Sequence, residues 1–137
     1  MRLFFLLATL ICLTTLACKK TKDTDRPKSK TDYIPIISAN SPTQVTQGQP
    51  ILSRVKCGFT EYFADITFLN FEIKETSPRQ YDIRAKALYN NIMYDYSLPV
   101  LMTFDTTLPL QTLTTGKYIL RFFSFNQLVE ADTVQVN

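Results

Sequence analysis

The side chains most able to do chemistry in this chain are three cysteines and a few carboxylates. Cys12, Cys18 and Cys57 are the thiols. A thiol attacks as thiolate, usually beside a base. The chain has no histidine, which removes Cys-His and Ser-His-Asp relays, His-ligated zinc and His-ligated haem. Gly48, Gly58 and Gly116 are the only glycines, too far apart to build a phosphate-cradling loop. Glu130 and Asp132 form the close acidic pair of the C-terminal hairpin, and period-two spacing puts both on one strand face. Calcium needs more oxygen ligands than two residues supply, so a solvated face is expected there. A glycoside hydrolase needs two acids at a fixed separation, and spacing marks no such pair. The sequence predicts no catalytic residues, no metal and no cofactor.

The first cysteines fall in a different context. Met1 and Arg2 precede an uncharged apolar run from Leu3 to Leu16, closed by Lys19 and Lys20. A positive start, an apolar stretch and small residues near a cut are the layout of a secretory signal. A spanning helix needs roughly 20 apolar residues to cross about 30 Å of hydrocarbon, more than this run provides. Thr15-Leu16-Ala17-Cys18 resembles the bacterial lipobox. Ala17 and Cys18 match it, whereas Thr15 and Leu16 depart from the preferred Leu and small residue. The resemblance implies cleavage after residue 17 and a diacylglycerol thioether on Cys18. Two or three acyl chains anchor firmly where one holds marginally. Cys57 is then the single thiol of the mature chain. It has no disulfide partner, and the expectation is a small buried hydrophobe.

The elements that must position anything else begin after a polar spacer. Residues 18–32 read CKKTKDTDRPKSKTD, and 19–32 hold six basic and three acidic side chains, a net of +3. With no large apolar residue to bury, this stretch is expected to be a disordered tether. Residues 33–137 hold eight basic and nine acidic side chains. The basic excess therefore lies in the tether, which speaks against a nucleic-acid partner and allows attraction to anionic headgroups.

From Tyr33 onward, β-branched and aromatic residues alternate with polar ones, which is strand vocabulary. Strands are expected at about 33–38, broken by Pro35, and at 50–57, 65–75, 80–89, 92–104, 117–125 and 128–136. Ile51, Ser53, Val55 and Cys57 share one face of the second. In the third, Ile66 and Phe68 fall opposite Thr67, Leu69, Phe71 and Ile73. The fourth alternates most cleanly, with Tyr81, Ile83, Ala85, Ala87 and Tyr89 apolar. Pro99 interrupts the fifth, Leu108-Pro109 opens a loop, and Asn126-Gln127 turns the last hairpin. About seven strands over residues 33–137 predict an all-β fold, an antiparallel sandwich.

The ending TTGKYILRFFSFNQLVEADTVQV resembles the last two strands of immunoglobulin-like domains. That likeness implies an immunoglobulin-like sandwich, with Tyr118 as the tyrosine whose hydroxyl bonds back to the chain. Tryptophan and the paired core cysteines are absent. Signal, tether and one small β domain together resemble the layout of small Bacteroidota lipoproteins. The triplets Asp105-Thr106-Thr107 and Asp132-Thr133-Val134 resemble the short O-glycosylation motif of that group; unmodified threonine is the default.

In the penultimate strand Tyr118, Leu120 and Phe122 are expected in the core. Ile119, Arg121, Phe123 and Phe125 then form an outer stripe, the candidate interaction face. Tyr94 and Tyr96 share a face of the fifth strand. The expected function is a membrane-anchored, non-catalytic binding domain in the bacterial cell envelope, at the outer membrane, facing periplasm or exterior, with a protein or glycan partner. The alternatives are an envelope assembly subunit and a carboxylate-based hydrolase.

Overall fold

A computed structural model describes residues 29–61, 65–90 and 100–137 of the chain. Every regular element among them is a strand. In order they are β1 (Ser29–Ile34), β2 (Ile36–Asn40), β3 (Gln44–Val45), β4 (Ile51–Glu61), β5 (Asp65–Ser77), β6 (Gln80–Asn90), β7 (Val100–Leu110), β8 (Gly116–Ser124) and β9 (Gln127–Val136). The protein is all-β, and its strands form two sheets.

The larger sheet is organised by β6. Along one edge β6 pairs antiparallel with β5, from Asp65↔Asn90 to Ser77↔Gln80. Its other edge is shared. β1 pairs antiparallel with residues 85–90, and β8 pairs parallel with residues 80–83. β9 follows β8 antiparallel, and β3 closes the sheet parallel to β9. The smaller sheet has the order β2-β4-β7, all antiparallel. The larger sheet is therefore mixed, where the sequence predicted antiparallel pairing throughout. The reason is that β8 enters from the other sheet and runs alongside β6 in the same direction.

Both sheets feed one core. Ile51, Val55 and Cys57 of β4, Ile83, Ala85 and Ala87 of β6, Leu120 and Phe122 of β8, and Val134 and Val136 of β9 are all buried. The alternation read in β4 and β6 holds here, because one face of each strand meets the opposite sheet. Buried Ser53 is satisfied by the Ser41 hydroxyl at 2.7 Å, and buried Thr112 donates to the Gln49 carbonyl at 2.6 Å. Phe68 of β5 and Phe104 of β7 meet with ring centroids 5.6 Å apart, joining the two sheets along their outer strands. The Tyr118 hydroxyl donates to the Thr114 carbonyl at 3.0 Å, the backward bond the resemblance implied, and its ring stacks on Tyr81 at 6.2 Å.

Four strand expectations need correction. The described residues form nine strands, with Pro35 dividing the expected first strand into β1 and β2, which belong to different sheets, and β3 adding a short edge. β1 starts at Ser29, inside the stretch assigned to the tether. Ser29 to Asp32 are exposed, and their main chain supplies a ladder to β6 without needing apolar side chains. In β5 the register shifts between Phe68 and Asn70. Leu69 is the extra residue of a β-bulge, so Ile66, Phe68, Phe71 and Ile73 all oppose core-facing positions of β6. The sequence had split them between two faces. β7 runs through Pro109 to Leu110, where a loop was expected. β7 is the edge of its sheet, and proline is tolerated there because no neighbour needs its missing N–H. Residues 92–99, with Pro99, Tyr94 and Tyr96, lie outside the described residues.

Candidate interaction face

The outer stripe of β8 is the one candidate site that the described residues contain. Tyr118, Leu120 and Phe122 point into the core, as expected. Ile119 and Arg121 lie on the opposite face, half-buried, opposed across the parallel ladder by Gln80 and Asp82. Phe123 joins them. Phe125 does not continue the strand; it is the first residue of the hairpin turn, with φ 54°, and is 52% exposed. The turn is thus Phe125-Asn126, one residue earlier than expected. A positive φ at the first turn position is the backbone twist that tight hairpins favour. A register shift between Phe122 and Phe123 leaves Val129 as an extra residue in β9.

The stripe is not a bare apolar surface. The Arg84 guanidinium lies 4.8 Å from the Phe123 ring centroid and that of Arg121 lies 5.7 Å away. Both cations meet the negative face of the ring's quadrupole. Arg84 Nε also donates to the Phe125 carbonyl at 3.1 Å, holding the turn. Arg121 Nε donates to Asp82 at 2.7 Å, and its Nη2 forms an ion pair with the same carboxylate and a hydrogen bond to Thr76 at 3.3 Å. Among the described residues Arg84 has no ion-pair partner. Glu72 stands across the ladder from it and is lowered in part by its charge; a guanidinium so placed can also receive a carboxylate, sulfate, phosphate or sugar hydroxyl.

Next to it on the same face is a second polar group. Lys86 pairs with Glu72, and the Tyr33 hydroxyl donates to Glu72 at 2.8 Å. The hydrogen bond from Lys86 and then that from Tyr33 hold the Glu72 carboxyl below its ordinary value. Lys86 and Tyr33 are each raised mainly by their own hydrogen bond to Glu72. The sequence offered no sign of this arrangement, because Tyr33, Glu72 and Lys86 come from three strands.

The remaining sequence candidates are placed as follows. Cys57 is fully buried. Burial, and then the charge of Asp105, push its thiol up to about 12. Glu130 and Asp132 share a face, since they oppose Phe122 and Leu120 in the ladder. That face points toward the core, and Asp132 Oδ2 is shielded from solvent without a hydrogen-bond partner, so the expected solvated face is corrected for Asp132. Among the described residues no three or more His, Cys, Asp or Glu side chains come together to hold a metal. Thr133 is exposed, and Thr106 is half-buried. Cys18 lies outside the described residues. Among those described, no helix is long and apolar enough to cross a membrane.

No protein-family model, no curated protein and no solved structure matches this chain.

Proposed function

We propose that this chain is a lipid-anchored protein of a bacterial envelope whose immunoglobulin-like β-sandwich binds a protein or glycan partner without catalysis. Two readings support it. The N-terminal segment has the charge, length and Ala17-Cys18 junction of a lipoprotein signal. The outer face of the larger sheet presents Phe123 against two guanidiniums, one of which, Arg84, forms no ion pair within 4 Å among the described residues. That second observation carries the binding reading. It is a rigid aromatic and cationic surface of the kind enriched at binding hot spots. Membrane fractionation and N-terminal mass analysis of wild-type and Cys18→Ser protein test the anchor. The wild-type should carry diacylglycerol, and the variant should be released or remain uncut. An unmodified, membrane-held mature form in both would overturn it.

The second reading is an envelope assembly subunit. It is favoured by the two long edge strands, β5 and β7, each paired on one side only among the described residues. Such edges accept added strands. Gel filtration of detergent-extracted protein with in-cell crosslinking separates the readings, since assembly requires a stable self- or hetero-complex.

A further inference from the structure

The two ends of the domain are built differently. At one end the loops are stitched together. Gly48 N–H donates to the Thr112 carbonyl at 3.1 Å, Gln47 Nε2 to Leu113 at 3.0 Å, and Arg79 Nη1 to Thr115 at 2.9 Å. Leu113, 82% exposed, marks this end. The other end is where the described chain begins. Ser29 opposes Asn90, which on its other side opposes Asp65. β4 finishes at Glu61, and three residues join it to Asp65. Four peptide steps span at most about 14 Å, so β4 and β7 finish at the same end of the domain as Ser29.

At that end the β4–β7 ladder runs four pairs past Cys57↔Phe104, as far as Glu61↔Val100. It exposes Leu101 and Met102 by 63% and 56%. Successive strand residues point to opposite faces, so the two apolar side chains flank both sides of the end of this strand pair. Large apolar groups projecting from both faces of one tip suit a lipid interface better than a flat protein surface.

The length of chain ahead of Ser29 fixes which end lies near the anchor. Ten residues, 19–28, separate Cys18 from β1. Even fully extended, ten residues reach no more than about 36 Å. Eleven residues of β6 measure about 36 Å at 3.3 Å each. The Ser29 end is therefore the nearer of the two to the acylated residue, by about the length of β6. Residues 19–28 carry five basic and two acidic side chains, a sign that favours anionic headgroups near that end.

We infer that the domain rests on the membrane through its Ser29 end, with Leu101 and Met102 entering the headgroup region of an anionic bilayer. This rests on the acylation of Cys18 proposed above. The face holding Phe123 and Arg84 is then presented sideways, open to a partner.

The chain contains no tryptophan, so Leu101→Trp, Met102→Trp and Leu113→Trp each introduce a single reporter at an exposed position. Each full-length acylated variant is reconstituted into vesicles of phosphatidylethanolamine and phosphatidylglycerol, with and without brominated acyl chains. Emission from positions 101 and 102 should shift to the blue and be quenched by bromine, while position 113 stays unshifted and unquenched. Equal quenching at both ends, or none at 101 and 102 in vesicle-bound protein, would overturn the inference and leave the anchor intact. A blue shift at 101 that needs no lipid and grows with protein concentration would overturn it in favour of a second copy. Protein that lacks acyl chains by mass, and stays off vesicles, would overturn the anchor as well.

Discussion

The guanidinium of Arg84 lies 4.8 Å from the ring centroid of Phe123, and the two residues come from strands that meet only through tertiary pairing. The same side chain reaches the Phe125 carbonyl, so one arginine covers an aromatic ring and fixes the turn that follows it.

Replacing Arg84 with alanine should destabilise the domain by about 1 kcal/mol, the scale of an exposed cation–π contact with its hydrogen bond. The Phe123 ring should become accessible to an apolar dye. Arg84→Lys should restore less than half of the loss, because an ammonium keeps the charge and lacks the planar stack. Urea unfolding with dye titration measures both. Equal stability of all three proteins would show that the stack is incidental.

Leu69 is the surplus residue of the β5 bulge, and its deletion makes an unusual prediction. Removing it brings Phe68 and Phe71 to a spacing of two, which keeps both on the core side. Stability should change by no more than about 1 kcal/mol. Deleting Glu72, in the regular part of the ladder, should invert one flank of the strand and abolish cooperative unfolding. Thermal melts followed by circular dichroism distinguish the two; equal damage would refute the bulge assignment.

Tyr118→Phe keeps the ring that stacks on Tyr81 and removes the hydroxyl that bonds to Thr114. The expected cost is about 1–2 kcal/mol, since the Thr114 carbonyl loses a buried donor. Equilibrium denaturation reads it directly. A loss near zero would mean that water replaces the hydroxyl.

The Glu72 group sets a pH dependence whose sign follows from its partners. Glu72 is lowered from 4.5 by Lys86 and Tyr33, so its contribution is full above that value and is lost as pH falls through the lower folded one. Lys86 is raised from 10.5 and Tyr33 from 10.0. Their contributions are full below those values and are lost as pH rises through the higher folded ones. Glu72→Gln should flatten the acid limb of stability and leave the neutral plateau nearly level, as exposed pairs contribute little. An unchanged acid limb in the variant would remove Glu72 as its cause.

Cys57, buried and pushed up to about 12, should not react with a thiol reagent in native protein near an ordinary thiol value of about 8.5. It should react fully in denaturant. Rapid native labelling would show that the core opens around β4.

Much of this protein is determined by local chemistry. The absence of histidine and the scattered glycines remove whole classes of mechanism, whatever the fold. Period-two patterns in 51–57 and 80–89 identify buried faces because the extra residues fall on the partner strands, β2 and β5, and leave β4 and β6 themselves regular. Tyr118, Leu120 and Phe122 were legible as core for the same reason. Other features were decided only when strands met. The phase of β5 depends on a bulge, which is a property of the pair and not of one strand. Ser29 to Asp32 join a sheet through main-chain hydrogen bonds, which leave no mark on side-chain pattern. Pro109 fits within a strand because β7 is an edge. The stripe of Ile119, Arg121 and Phe123 was visible as a periodicity, but its cover was not. Arg84 is separated from Phe125 by 41 positions, and Tyr33 from Glu72 by 39. Contacts at such separations depend on which strands become neighbours, and packing of the whole chain sets that order.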